Sequence, residues 1–419
     1  MSPRKVDWRA RLAASALGEP AYRRLFAGQA LSVLGDALVP VALAFTVLAL
    51  TGSPTDVGLV LAAQTVPLVV LLLFGGVWAD RLPRQRVMLS ADVIRCAAQG
   101  TVAALVFLDE ARVWQLAVLQ AVYGAATAFF NPAATGLIPE TVSPERLQSA
   151  NALLALARSS ANVVGPIIAG ALLAVGGGGW AFAADAATFA VSALALARLR
   201  PQIARVVGLR KPLVAELREG WHEFSRHTWL WLSVAFFAVY FTVVLGPYFV
   251  LGPVVSQREL GGPSAWAAIV AAAGVGNVIG SVISLRVRPA RPLLTSYVVS
   301  FATVPVLALL AVAAPLPAIV LASLVGRIGM AFFGTIWYTT LQENVPAHAL
   351  SRVSAYDWLG STLFFPLGLV LAGPVAAQIG VSATLLGSAV VFAGLICAML
   401  AVDSIRTVGA RANPGPAAL

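Results

Sequence analysis

The stretch Gly76-Val-Trp-Ala-Asp-Arg-Leu-Pro-Arg-Gln-Arg86 decides how this chain is read. It is a short charged hinge with about twenty apolar residues on either side, the length that crosses a hydrocarbon core. Charges this dense between two membrane-length segments lie at a membrane–water boundary. Outward from the hinge the chain stays apolar. Of its 419 residues 59% are hydrophobic and only 11% are charged, whereas a soluble domain is about a quarter charged. No soluble fold buries that much apolar surface, so the solvent is a bilayer. Backbone groups in lipid must be satisfied within each segment, so the spans are helical and the fold class is all-α, polytopic.

Twelve apolar stretches are long enough to span: 25–50, 57–79, 88–108, 114–136, 150–175, 178–198, 229–255, 265–285, 292–313, 316–338, 353–377 and 381–402. The arginines orient them. With both termini in the cytoplasm, only Arg112 and Arg258 of the 28 Lys and Arg fall outside, and Arg95, Arg158 and Arg327 fall within spans. That is a strong positive-inside bias. The net charge of +10 therefore reflects topology and contact with anionic lipid heads, not nucleic-acid binding. The polar stretch 200–228 contains Leu213-Val-Ala-Glu-Leu-Arg-Glu-Gly-Trp-His-Glu-Phe224, apolar at helical spacing, and reads as a cytoplasmic amphipathic linker. The expected organisation is an N-terminal segment 1–24, a six-helix bundle 25–199, the linker, a second bundle 229–402 and a tail 403–419. Cys96 and Cys397 lie in apolar segments and imply no disulfide or metal site. Neither a cofactor nor a cleavable signal is expected, and the working unit is read as a monomer.

The halves repeat. An offset of 203 residues places Ala128-Phe129-Phe130 on Ala331-Phe332-Phe333, Glu140 on Glu343, Gly165 on Gly368 and Ala169-Gly170 on Ala372-Gly373. Spans 4 and 5 thus match spans 10 and 11, a parallel repeat of six helices.

Three stretches carry a resemblance to a known family. In the hinge, Gly76, Asp80, Arg81 and Arg84 match the signature loop between helices 2 and 3 of the major facilitator superfamily, with Pro83 where the family usually has glycine. Asn162-Val-Val-Gly-Pro-Ile-Ile-Ala-Gly170 is similar to the antiporter motif of span 5, with Ala169 replacing one glycine. Phe130-Asn-Pro-Ala-Ala134, Ile138-Pro-Glu140 and Leu147-Gln-Ser-Ala-Asn151 look like the loop between spans 4 and 5 of the twelve-span drug:proton antiporter group that includes macrolide and enterobactin exporters. The resemblance covers about residues 20–402. It implies the superfamily's two pseudo-symmetric bundles and small-molecule export against protons. One position departs: Gln120, four residues before Gly124, stands where many proton-coupled members carry an arginine.

The residues themselves allow a mechanism. Asp80, with Gly76, Arg81 and Arg84, reads as a gating latch, its carboxylate facing a helix N-terminus in the other half. Gly165, Pro166 and Gly170 permit close helix approach and a kink. Each intramembrane charge costs roughly 2.5–3.5 kcal/mol at the centre of a lipid-facing helix, so those retained face protein or a watery cavity. Asp36 is the expected proton carrier, near the midplane of span 1 on one face with Gln29 and Ser32. Arg158 is its expected partner or a substrate contact, with Arg327 in a comparable role in the second half. Asp92 and Arg95, three apart, can pair and support the latch. Asp185 reads as structural, and Asp357 as an acid at the start of span 11. The expected substrate cavity takes Gln29, Ser32, Gln120, Tyr123, Asn131, Asn162, Tyr240, Phe241, Arg327, Trp337 and Trp358, a largely apolar lining with a few polar groups.

The leading reading is export of hydrophobic or amphipathic small molecules by proton antiport with alternating access. A lipid or lysolipid translocator is the alternative within the same fold. A polytopic enzyme or receptor is disfavoured: His222, His227 and His348 all lie outside the spans and form no acid–base or metal pattern.

Overall fold

The computed structural model describes residues 16–199 and 221–408, with backbone alone for 73–81, 347–349, 351 and 352. The N-terminal residues 1–15, most of the linker and the tail from 409 lie outside the described residues. Among the described residues twelve helices are long and apolar enough to cross a membrane. They are α1 (Pro20–Thr51), α2 (Pro54–Arg81), α3 (Arg84–Phe107), α4 (Val113–Glu140), α5 (Pro144–Gly176), α6 (Gly178–Ala197), α7 (Thr228–Leu260), α8 (Pro263–Arg286), α9 (Pro292–Ala311), α10 (Leu316–Asn344), α11 (Val353–Ile379) and α12 (Val381–Ala401). No strand occurs among the described residues. The chain divides into two compact units, Met1–Gly208 and Leu209–Leu419.

Local sequence explains where the helices stop and bend. Pro83 ends the hinge and α3 starts on the next residue, because proline cannot donate a helical hydrogen bond and restricts the residue before it. The first span is not continuous. It runs helical over Pro20–Asp36, turns at Ala37 and Leu38, and resumes at Val39. Pro40 is the cause: it has no N–H for the Asp36 carbonyl four residues back, and its ring crowds that carbonyl. The Leu38 amide bonds the Gly35 carbonyl instead, at 2.9 Å. Asp36 is therefore the last residue before a break in the middle of a membrane helix. In α7 the regular helix gives way to a π-helical turn at Tyr240–Leu245, just before Gly246-Pro247. Such turns mark sites where function outweighs regularity.

Each unit is built on the same pattern. Gly177 opens α6 and Gly380 opens α12, both with positive φ (79° and 90°), a conformation that favours glycine. They are 203 residues apart, the sequence offset. Within the N-terminal unit Gly165 of α5 lies against Ala37 at the break in α1, and within the C-terminal unit Gly368 of α11 lies against the Thr242 backbone in the π-turn of α7. The antiporter-motif glycine thus packs on the irregular segment of the unit's first helix. A larger residue there overpacks a closed contact, at a cost of about 1–3 kcal/mol. Gly165→Leu is expected to lower the thermal midpoint of the purified protein and to abolish transport. An unchanged midpoint in a thermal-shift measurement would refute the tight α1–α5 contact.

Buried apolar side chains at one end of the N-terminal unit, among them Tyr22, Leu25, Met88, Leu137 and Leu154, join α1, α3, α4 and α5. The Tyr22 hydroxyl donates to the Ala150 carbonyl at 2.6 Å. The core of the C-terminal unit is aromatic: Phe236, Tyr297 and Phe333 are fully buried with ring centroids 4.9–6.1 Å apart, and Tyr297 donates to Ser233 at 2.8 Å.

Candidate functional site

Three polar residues of α3 lie on one face. Asp92, Arg95 and Gln99 are spaced three and four apart, and all three are buried inside the N-terminal unit, at 0%, 1% and 0% exposure. Four helices supply what they touch. Arg95 donates to the Asp92 carboxylate one turn away, and its other terminal nitrogen is 3.9 Å from the carboxylate of Asp36 on α1. Its guanidinium lies over the rings of Phe130 on α4 and Phe189 on α6, at 4.1 and 4.2 Å. Cations are stabilised over ring faces, most where water is absent. Tyr123 on α4 donates its hydroxyl to Asp36 and stacks edge-on against Phe189. Gln99 donates to Asp185 on α6 at 2.8 Å and accepts from Gln120 on α4 at 3.2 Å.

One member of this network is open. The Asp36 side chain keeps 35% of its surface exposed, against 1% for Arg95. The break in α1 places it there. Small residues bring α6 in behind it: Gly28 lies against Ser192 and Gly35 against Asp185 and Thr188.

The sequence reading needs correcting on several residues. Asp36 is paired with Arg95 and Tyr123, not with Arg158, which is exposed on α5. Asp92 and Arg95 pair as their spacing allows, but they join Asp36 in a buried network. Gln29, Ser32, Gln120 and Tyr123 are buried in the helix packing, not at an open surface. Asp185, read as structural, accepts a hydrogen bond from Gln99. Gln99 was missed, although its place on the Asp92–Arg95 face was the signal for it. Asn131 and Asn162 are exposed, and Gly165, Pro166 and Gly170 are buried.

At the hinge, the side chains of Gly76, Asp80 and Arg81 lie outside the described residues. Arg84 bonds Glu140 at 2.9 Å and the Gly136 carbonyl, tying the start of α3 to the end of α4. A guanidinium at a helix C-terminus meets the negative end of the helix dipole. Gln85 donates to the Leu196 and Leu199 carbonyls at the end of α6, at 2.6 and 2.8 Å.

In the C-terminal unit, Arg327 on α10 is half-buried, with Tyr240 and Tyr248 of α7 as its neighbours. Two residues read as cavity lining are packed away. Trp337 is buried and donates to the Asp357 carboxylate at 3.0 Å, and Tyr240 is buried against Phe392. The helix that carries Asp357 begins at Ala347, ahead of the membrane-length part counted as α11, so the acid sits beyond the first turns and not at the helix start. Phe241 is half-buried and Trp358 exposed. An apolar groove of about 580 Å³ lies between α7 and α11, lined by Trp231, Val234, Ala238, Tyr356 and Leu363 and flanked by Trp221. Sequence did not reveal it, because its walls come from helices more than a hundred residues apart.

Known proteins share this architecture and sequence. A bacterial homologue of the iron transporter ferroportin, solved in an inward-facing state, superposes with a TM-score of 0.70 at 17% identity, over 91% of this chain and 99% of that one. The nucleoside transporter NupG superposes with a TM-score of 0.70 at 15% identity, over 90% and 98%. At those identities the likeness is one of fold. In sequence, the multidrug efflux pump Tap of Mycolicibacterium fortuitum is 29% identical over 84% of this chain and 88% of its own length. Macrolide efflux protein A of Streptococcus pyogenes is 23% identical over 90% and 95%. The enterobactin exporter EntS of Citrobacter koseri is 28% identical over 91% and 92%. The sequence profile of the Major Facilitator Superfamily matches residues 25–363. With twelve membrane-length helices, a repeated six-helix design and a profile match over most of its length, this multi-pass membrane protein belongs to the Major Facilitator Superfamily of transporters.

Proposed function

We propose that this chain exports hydrophobic or amphipathic small molecules across the plasma membrane by proton antiport with alternating access, as a single chain with both termini in the cytoplasm. The observation that carries the reading is Asp36, a half-open carboxylate at a break in a membrane helix, bound by Tyr123 and beside a buried arginine. Such a group exchanges a proton with water while its surroundings stay dry. Asp92 makes the exchange affordable. It holds Arg95 whether or not Asp36 is charged, so protonating Asp36 strands no naked cation in the interior, which would be strongly destabilising. Protonation weakens the tie between α1 and α3 and leaves the broken helix free to shift against α5. Inward proton movement supplies about 2.3 kcal/mol per 100 mV of membrane potential.

The substrate class rests on two supports. Named relatives include a multidrug pump, a macrolide efflux protein and an enterobactin exporter. The described intramembrane surface is largely apolar with few charges, which suits amphipathic organic molecules. The orientation rests on the arginine distribution. The apolar groove between α7 and α11 favours a second reading, movement of a lysolipid between leaflets.

Proteoliposomes test the choice. With an acid lumen, a cationic dye or macrolide is expected to accumulate inside through the inverted fraction, and a protonophore is expected to abolish the accumulation. No gradient-driven accumulation across a panel of dyes and antibiotics would reject antiport. Movement of labelled lysolipid with no dye transport would select the second reading.

A further inference from the structure

The proton site described above leaves one carboxylate unexplained. Asp185, eight residues into α6, is fully buried. Its Oδ2 accepts from Gln99 at 2.8 Å, and its Oδ1 has no hydrogen-bond partner. A buried oxygen in that state is costly, and a buried charge more so. The only cation in the network is already engaged: Arg95 has one terminal nitrogen on Asp92 and the other facing Asp36. Among the described residues no basic group lies within ion-pair distance of Asp185. The titratable groups around it are Asp36 on α1, Asp92, Arg95 and Cys96 on α3, and Tyr123 on α4. With all three carboxylates ionised, one arginine would face three negative charges in a dry bundle.

Hydrogen bonding points the same way. Asp185 Oδ1 and Gln120 Oε1 are both buried acceptors with no donor. A proton on a carboxylate converts an acceptor into a donor. Geometry says which carboxylate. Gly35 has no side chain, and a Cβ there would collide with Asp185 Oδ1 and Thr188 Oγ1. The orphaned oxygen of Asp185 therefore abuts the backbone of the residue preceding Asp36.

We infer that Asp185 is a second proton-binding carboxylate, coupled to Asp36 across the α1–α6 contact. The inference rests on Asp36 being the proton site open to water. A proton taken up at Asp36 moves inward: the O–H bond at Asp36 breaks, one forms at Asp185, and Asp36 returns to the carboxylate held by Tyr123 and Arg95. A second proton can then load at Asp36. Two acids in one field titrate as a pair, in two steps that belong to neither alone.

Infrared pH-difference spectra of the full-length protein in lipid count the protons. Wild-type protein is expected to show two titrating carboxyl bands from this network. Asp185→Asn removes one, Asp36→Asn removes the other, and the double variant removes both. A spectrum of Asp185→Asn identical to wild type overturns the inference. Loss of a band in Asp185→Asn with none lost in Asp36→Asn instead rejects Asp36 as the open proton site. Should Asp185→Asn fail to reach the membrane, Asp185→Glu keeps the acid and is expected to shift one band. An unshifted spectrum of Asp185→Glu overturns the inference equally.

Discussion

Arg95→Met lowers the stability of the N-terminal unit by about 3–5 kcal/mol, the range for removing one partner of a buried ion pair, and transport is lost with it. Arg95 is 1% exposed and is shared by two carboxylates and two aromatic faces. Methionine fills similar volume, so the loss comes from charge more than from a cavity. Asp92, fully buried, would be left without its partner. The double variant Arg95→Met/Asp92→Asn removes that stranded charge and is expected to recover a substantial part of the stability, because residues in one network are not additive. Recovery of stability without recovery of transport separates the arginine's two roles. Thermal unfolding of purified protein and dye efflux at matched expression measure both. A midpoint for Arg95→Met equal to wild type would mean that the network does not hold the unit together.

Asp36→Asn is expected to collapse the energy coupling while sparing the fold. Asparagine copies the shape of the protonated acid and still accepts from Tyr123, so assembly is retained. What disappears is the ability to release a proton. The potential supplies about 2.3 kcal/mol per 100 mV, which corresponds to roughly a 40–50-fold concentration ratio for one proton exchanged for a neutral substrate. In the variant that ratio falls to about one: substrate moves down its own gradient only, and a protonophore has no further effect. Efflux from Asp36→Asn cells that still collapses on adding a protonophore, as in wild type, would remove Asp36 from the mechanism.

Much of the fold was legible because its signal is local. A bilayer demands about twenty apolar residues per helix whatever the neighbours do. The irregularity at Asp36 was legible only in principle: Pro40, four residues on, is the proline that frees its carbonyl. The site was legible only in its parts. Asp36, Asp92 and Arg95 stood out because charges in a membrane segment are costly. Tyr123 stood out only as cavity lining, and Gln99 and Phe189 not at all, since they are ordinary residues for a membrane helix. Charge alone marks Arg158 as a partner of Asp36 or a substrate contact, and charge does not specify which side chains it meets.

Sequence by itself determined the solvent, the number of the spans, the internal duplication and the short inventory of charges that must be sheltered. These follow from hydropathy and chain length, which act along the chain. Tertiary structure alone decided that α1, α3, α4 and α6 bring Asp36, Arg95, Tyr123 and Asp185 together, and that Arg158 stays outside. The reason is that helix faces meet across the sequence by packing of small residues, and Gly28 against Ser192 and Gly35 against Asp185 set that register from more than a hundred residues away.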